Sequence, residues 1–217
     1  MFSPCINKEK SPLTPEKKPF CVPTQALADA ISEEWEKGKK FSPSNMPLTS
    51  LVYTAIDRVE EQKDNIIEVL IAYVDTDTLT YRSTNSEKLA DRQKKEWEPI
   101  TKWASKEFEA IWHTTSGSMP IEQPKELHDA ISNYLKTLTA LELSAACVLS
   151  STFSSLVLAV AVLKKHLSAE AAYELSRLEE EVQAEQWGRD VEAEQRNSRV
   201  KAEIGEISRF LRLLDAA

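Results

Sequence analysis

The chain has 217 residues, of which 41% are hydrophobic and 29% are charged, and its formal net charge at pH 7 is -8. This composition excludes wholesale disorder, and the acidic balance argues against a protein that binds nucleic acid through a basic face. Three scattered cysteines without a C-x-x-C pair suit a reducing compartment. The first twenty residues contain neither the apolar segment of a secretory signal nor an arginine typical of a transit peptide. We therefore expect a bacterial cytoplasmic protein, or a mitochondrial one whose presequence is already absent.

Proline usage divides the chain into two parts. All ten prolines lie at or before Pro124, and proline interrupts the interior of a helix, so the remainder is free to form long helices. A segment rich in turn-forming residues at 114–124 predicts the boundary, which gives domains of residues 1–118 and 119–217. The predicted fold class is α+β and mostly helical, with a small N-terminal α+β domain followed by an all-α domain.

The predicted elements in chain order are mostly helices. Thr24 is expected to cap the first helix, Pro47 to stand in the first turn of the second, and Ser86 to open a long helical segment that Pro99 kinks or divides. An alternating, β-prone stretch predicts one strand. The predicted helices cover residues 24–37, 47–59, 64–73, 86–108, 125–138, 140–165, 168–187 and 190–214, and the strand covers 78–82.

Two tryptophans fall among apolar positions of predicted helices. Trp35 follows Leu27 and Ile31 at a spacing of four residues, which forms one stripe on a helix. Trp97 lies at an apolar position of the helical segment 86–108. Both side chains are therefore expected to be structural.

An uncharged stretch at 143–163 is long enough to cross a bilayer. Its first half is rich in serine, threonine and alanine, and Glu142 precedes it directly. We interpret it as the buried central helix of a bundle, without membrane insertion, and the alternative is a membrane-anchored adaptor.

Motifs of known chemistry are absent from the sequence. The four glycines form no phosphate-binding loop, and the three histidines are too widely spaced for a metal site. We predict no cofactor, no metal and no catalytic residue. Asp75 and Asp77 are expected to cap a turn as structural residues. The alternative is an acid–base pair that works with a histidine between the domains of a small-molecule enzyme.

The segment 175–188, LSRLEEEVQAEQWG, is the richest motif. On a helix, Leu175, Leu178 and Val182 share one face and Trp187 points nearly opposite. Seven acidic residues and one arginine occupy positions 179–194. A solvated helix face would explain the acids alone. A tryptophan opposite the apolar face either packs against another element or serves as an interface anchor, and its place beside these acids favours an interface. The predicted partner-binding residues are Glu179, Glu180, Glu181, Gln183, Gln186 and Trp187.

Five segments of the chain, including 175–188, together resemble the assembly chaperones for the α subunit of the ATP synthase catalytic head. This family occurs in mitochondria and α-proteobacteria. The similar segments, in family order, are 14–35, 46–59, 73–82, 89–104 and 175–188. Family members usually carry a longer β-rich segment before the position of Thr14-Pro15, where this chain has 13 residues.

The resemblance implies a function as well as a fold. It implies a chaperone that binds the free α subunit, prevents its aggregation until the β subunit joins, and hydrolyses no ATP. It places the protein in the bacterial cytoplasm or, in a eukaryote, the mitochondrial matrix. No heptad pattern persists along the chain, so a monomer is expected. A helical protein-interaction adaptor with a different partner is the alternative.

Overall fold

The structure is a computed structural model that describes residues 1–4, 12–37, 42–117, 119, 121–188 and 190–216. These residues contain helices throughout and one pair of two-residue strands, which confirms the mostly helical α+β class. The helices are α1 Gln25–Lys37, α2 Pro47–Thr54, α3 Lys63–Ala72, α4 Glu87–Glu96, α5 Glu98–Glu107, α6 Lys125–Thr137, α7 Ala140–Phe153, α8 Leu156–Leu163, α9 Ala169–Ser176, α10 Leu178–Trp187 and α11 Val191–Asp215. The strands β1 Tyr81–Arg82 and β2 Thr115–Ser116 pair in parallel.

The chain divides into two compact units. The first unit consists of Met1–Lys63, Leu138–Ala145 and Ala202–Ala217, and the second consists of Asp64–Thr137 and Ala146–Lys201. Each unit draws on residues from both sides of position 118. The proposed division into domains 1–118 and 119–217 stays a prediction.

Local sequence signals set several helix starts as predicted. The Thr24 hydroxyl accepts a hydrogen bond from Leu27 N at 3.2 Å at the start of α1. Pro47 occupies the first turn of α2, where its missing N–H costs nothing. Ser86 caps α4 by accepting from Leu89 N. These three predictions are confirmed.

In the first unit, a buried glutamate on α1 caps α2. Met46 at the start of α2 provides no side-chain cap. The Glu34 carboxylate, 9% exposed, accepts hydrogen bonds from Leu48 N and Thr49 N, both at 2.9 Å, and from the Thr49 hydroxyl at 2.7 Å. This contact satisfies the unpaired N–H groups of the first turn and fixes α2 against α1.

In the second unit, the apolar stretch predicted as one helix over 140–165 is broken. Ser154 has φ 48°, and Ser155 starts α8 by accepting a hydrogen bond from Leu158 N at 3.1 Å. The prediction of a continuous helix was wrong, because the Ser155 cap and the buried carboxylate of Asp77 stabilise a new helix start at this point. Every residue of α8 from Leu156 to Val162 is buried, which accounts for its hydrophobicity. Among the described helices, none is both long and apolar enough for a membrane crossing.

Two other predicted elements are also divided. The helix predicted over 168–187 is interrupted at Arg177, between α9 and α10. The predicted strand 78–82 is a 3₁₀ turn at Thr78–Thr80 followed by β1. The turn forms because the Asp77 carboxylate accepts from Leu79 N at 3.0 Å, which bends the chain before pairing can begin.

Replacing Glu34 with alanine should lower the free energy of unfolding by about 2 kcal/mol, because two N–H groups at the start of α2 lose their acceptor. Thermal and urea unfolding measure the change. Glu33→Ala is the matched control, since Glu33 is an exposed neighbour with long ion-pair contacts and should cost less than about 0.5 kcal/mol. Equal losses in the two variants would contradict the capping role.

Candidate functional site

Helix α10 is packed along one face and exposed along the other. Leu178 is 1% and Val182 is 3% exposed, as their shared stripe requires. Immediately before them, the indole N–H of the fully buried Trp97 donates a hydrogen bond to Leu175 O at 2.8 Å. Trp97 lies between α4 and α5, so it links that junction to the chain segment that leads into α10.

Helix α4 holds a second side of α10 through polar contacts. The side chain of Gln93, 0% exposed, donates to Glu179 Oε1 at 3.0 Å, and its own oxygen accepts from Ser83 N at 2.7 Å. Glu185 forms salt bridges to Lys88 at 2.6 Å and Arg92 at 3.2 Å. Sequence reasoning missed these α4 partners, because hydrogen bonds between residues 86 positions apart leave no local pattern.

The contact with Gln93 gives Glu179 a different environment from the other acids. Glu179 is partly buried, and burial, with a smaller effect from the Glu180 charge, raises the pKa of its carboxyl. The Gln93 hydrogen bond opposes that rise. Glu179 therefore contributes to the attachment of α10 as well as to its surface.

The exposed side of α10 is a ridge between two clefts. The first, which we call the α7-side cleft, has about 400 Å³ and is lined by residues that include Ser154, Ser176, Glu179, Glu180 and Gln183. The second, the α11-side cleft, has about 540 Å³ and its lining carries five glutamates and three cations. Those charged residues are Glu96, Glu174, Glu181, Glu185, Glu194, Arg92, Arg177 and Lys201.

The predicted partner-binding residues therefore face different directions. Glu179, Glu180 and Gln183 line the α7-side cleft, whereas Glu181 lines the α11-side cleft. Gln186 is exposed near the C-terminal end of the helix. Glu181 thus lies on a different side of α10 from Glu179, Glu180 and Gln183, and the role of these residues in partner binding stays a prediction.

Trp187 marks the end of the ridge. Its side chain is 74% exposed. Gly188 follows with φ 93°, a backbone conformation that glycine adopts without steric cost, and it ends the helix. Val191, 67% exposed, begins α11. Two large exposed apolar side chains thus lie four residues apart in sequence, at the end of α10 and the start of α11.

The residues predicted to be structural lie in separate places. Trp35 on α1 is partly exposed, and Trp97 is fully buried. Asp75 Oδ1 lies 3.0 Å from His128 Nε2 and also accepts a hydrogen bond from Gln123 N at 3.0 Å. Asp75 thereby positions the segment before α6.

Asp77 belongs to a different network. It is 0% exposed, and its Oδ2 accepts from the Ser155 hydroxyl at 2.9 Å and from Val157 N at 3.1 Å, at the start of α8. Asp75 and Asp77 therefore make separate contacts. The turn that contains them contacts two other parts of the chain, the start of α6 through Asp75 and the start of α8 through Asp77.

Burial raises the pKa of Asp77 from its ordinary 3.8 to about 6, although four hydrogen bonds oppose the rise. Because the folded-state pKa is the higher one, the native state binds a proton more tightly than the unfolded chain does. The stabilisation from this proton should be complete below pH ~4, should decline as the pH rises from 4 to 6, and should be lost above 6.

Carbon-13 NMR of the Asp77 carboxyl in the unmodified protein measures this directly, with an expected titration midpoint near 6. Urea unfolding across the same pH range should show the matching loss of about 3 kcal/mol, isolated by comparison with Asp77→Asn. A midpoint near the ordinary 3.8 would contradict this expectation and show that hydrogen bonding offsets burial at this site.

A ridge that carries charge and an exposed tryptophan is typical of a protein-interaction surface. The comparisons agree with this class. The family model described as ATP12 chaperone protein matches residues 8–105. The mitochondrial atp12 protein of Schizosaccharomyces pombe is 31% identical over 188 residues, which cover 81% of this chain and 65% of that protein's length.

Solved structures extend the similarity to nearly the whole chain. The crystal structure of Atp12 from Paracoccus denitrificans matches with a TM-score of 0.86 at 38% identity, covering 94% of this chain and 88% of that one. A protein of Agrobacterium tumefaciens matches with a TM-score of 0.87 at 33% identity, covering 93% and 76%. This chain belongs to the ATP12 chaperone family.

Proposed function

We propose that this protein is an assembly chaperone of ATP synthase that binds the free α subunit of the catalytic head and prevents its aggregation until the β subunit joins. It acts as a monomer and catalyses no reaction, in the bacterial cytoplasm or the mitochondrial matrix. Family membership supports the chaperone role. The observation that carries the choice of surface is the 74% exposure of Trp187 at the end of the acidic ridge.

The chemistry of the ridge suits the capture of an unassembled subunit. A subunit that lacks its neighbour exposes apolar surface, which aggregates unless another protein covers it. The indole of Trp187 and the isopropyl group of Val191 supply apolar area at low conformational cost. The glutamates beside them steer a basic or mixed surface into register and make binding sensitive to salt.

Several internal contacts hold the ridge in place. Leu178 and Val182 are buried, Glu179 is tied to Gln93, and Glu185 is tied to α4 by two salt bridges. A surface fixed before contact loses little conformational entropy when the partner docks. Release then requires only that the β subunit competes for overlapping surface on α.

The hydrogen bond between Glu179 and Gln93 makes Glu179 a poor position at which to test the charge of the ridge. Lysine at position 179 would remove the acceptor of the buried Gln93 amide and place a cation there, so Glu179→Lys should lower stability as well as binding. Glu180 is exposed and, within the described part of the chain, pairs with Arg177 at 2.9 Å in the same segment. Glu180 is therefore the cleaner probe of the ridge charge.

Trp187→Ala should leave the melting temperature unchanged and weaken binding to the α subunit by about tenfold or more, as loss of an interface tryptophan usually does. Co-expression with the α subunit of the same organism followed by size-exclusion chromatography measures complex formation, and sedimentation measures soluble α. Ile111→Ala is the control, because Ile111 is also 69% exposed. Full retention of soluble α by Trp187→Ala would remove the tryptophan from the proposed interface.

Glu180→Lys should weaken α-subunit binding about three- to tenfold at low salt, and the difference from the unmodified protein should shrink as salt is raised. The control is Glu126→Lys, which makes the same charge change at an exposed position on α6. Titration of the purified subunits at several salt concentrations provides the measurement. An equal effect of the two substitutions would indicate that net charge, rather than the ridge, governs the encounter.

A further inference from the structure

The second unit contains a cleft of the opposite charge. It has about 480 Å³ and lies between the α4–α5 segment and the β1–β2 ribbon. Three cations and one carboxylate line it, together with hydroxyl groups. Its lining includes Arg82, Lys94, Glu98, Lys102, Thr114 and Ser116. We call this surface the α4–α5 cleft.

The α4–α5 segment forms one wall of the cleft, and the paired strands β1 and β2 form the other. Ala90, Lys94, Glu98 and Lys102 are spaced by four residues, so they share one face that continues across the Trp97 junction. On the opposite wall, Arg82 of β1 is in register with Ser116 of β2. Alternation along an extended segment places Ser116 and Thr114 on the same side. The cleft is thus a consequence of regular structure on both sides.

Positive charge exceeds negative charge in the α4–α5 cleft. Lys102 Nζ lies 2.6 Å from Glu98 Oε1. Among the residues that the structure describes, Lys94 has no carboxylate within salt-bridge distance, and it is exposed. Arg82 is held in place, because it donates to Leu79 O at 2.6 Å and its guanidinium lies 5.4 Å from the centre of the Trp97 ring.

The pKa of Glu98 shows how the cations of the cleft affect a carboxylate. The Lys102 hydrogen bond and charge, followed by the charges of Lys94 and Arg82, lower the pKa of Glu98. Cations on both walls therefore favour an ionised carboxylate at this place. One carboxylate leaves a surplus of positive charge in a protein whose net charge is -8.

We propose that the α4–α5 cleft binds the carboxylate side chains of an acidic peptide segment of another polypeptide. Lys94 and Lys102 contact the carboxylates, Arg82 supplies a fixed charge on the facing wall, and the exposed hydroxyls of Thr114 and Ser116 donate hydrogen bonds. This site is separate from the α10 ridge in residues and in charge. It does not rest on the proposed α-subunit interface.

Two observations favour an acidic peptide over a nucleic acid. The net charge of -8 repels a long polyphosphate, whereas a few carboxylates need only a local positive patch. Trp112, the aromatic residue in the lining, is 6% exposed and offers no open face on which a base could stack. The local positive patch and the hydroxyl donors match carboxylates better than bases.

Fluorescence anisotropy at low salt with a fluorescein-labelled hexaglutamate peptide tests the proposal on the full chain. Lys94→Gln with Lys102→Gln should weaken peptide binding by about tenfold. The control pair is Lys95→Gln with Lys106→Gln, which removes the same charge from exposed lysines of α4 and α5 outside the cleft. Glu98→Gln provides a variant of opposite sign, which should tighten binding several-fold because it removes the competing carboxylate.

The outcomes separate cleft binding from general charge effects. A loss in the cleft pair, retention in the control pair and a gain in Glu98→Gln would support the site, provided circular dichroism melting shows all variants folded. Equal losses in both lysine pairs, or no peptide binding, would overturn it. An RNA oligonucleotide of equal charge that binds more tightly, and in the same variant-dependent way, would overturn the peptide assignment. None of these measurements involves the α subunit, so they can fail independently of the proposed function.

Discussion

The hydrogen bond from the Trp97 indole to Leu175 O organises the second unit. Trp97 is fully buried where α4 ends and α5 begins, so a single side chain fixes that junction and the segment that leads into α10. Gln93, one turn earlier, adds the contact to Glu179. If the indole lost its partner, a buried N–H would be left unsatisfied and the ridge would lose its orientation. The position of the exposed Trp187, which we assign to binding, thus depends on the buried Trp97.

Buried carboxylates perform a similar task in both units. Glu34 caps α2 in the first unit, and Asp77 caps α8 and a 3₁₀ turn in the second. Glu34 takes the place of a local cap on α2, whereas Asp77 adds a distant acceptor to the local Ser155 cap of α8. Both contacts couple helix formation to tertiary packing. Asp77 stands beside a helix of uninterrupted apolar residues, where an uncapped start would be costly. These two carboxylates are buried and fully used by internal contacts, in contrast to the exposed acids of α10 that we assign to binding.

Sequence reasoning succeeded where the signal was local. The starts at Thr24, Pro47 and Ser86 follow from residues that act on their own backbone neighbours, and the buried α8 follows from composition. It failed where a distant side chain decided the outcome. The break between α7 and α8 depends on Ser155 together with Asp77, 78 residues earlier, and Trp97 bonds to the end of α9 from the same distance along the chain. For the candidate site, helical spacing located Trp187 on an exposed side but gave no sign that Glu179 has a buried partner.

Hydrogen–deuterium exchange of this chain, alone and in complex with the α subunit, tests the central proposal most directly. The account predicts that the amides of α10 and of residues 187–191 become protected in the complex. Exchange in the α1–α2 region of the first unit should stay unchanged. Protection confined to other surfaces, with α10 and residues 187–191 exchanging at the same rate in both states, would contradict the assignment of the acidic ridge as the binding surface.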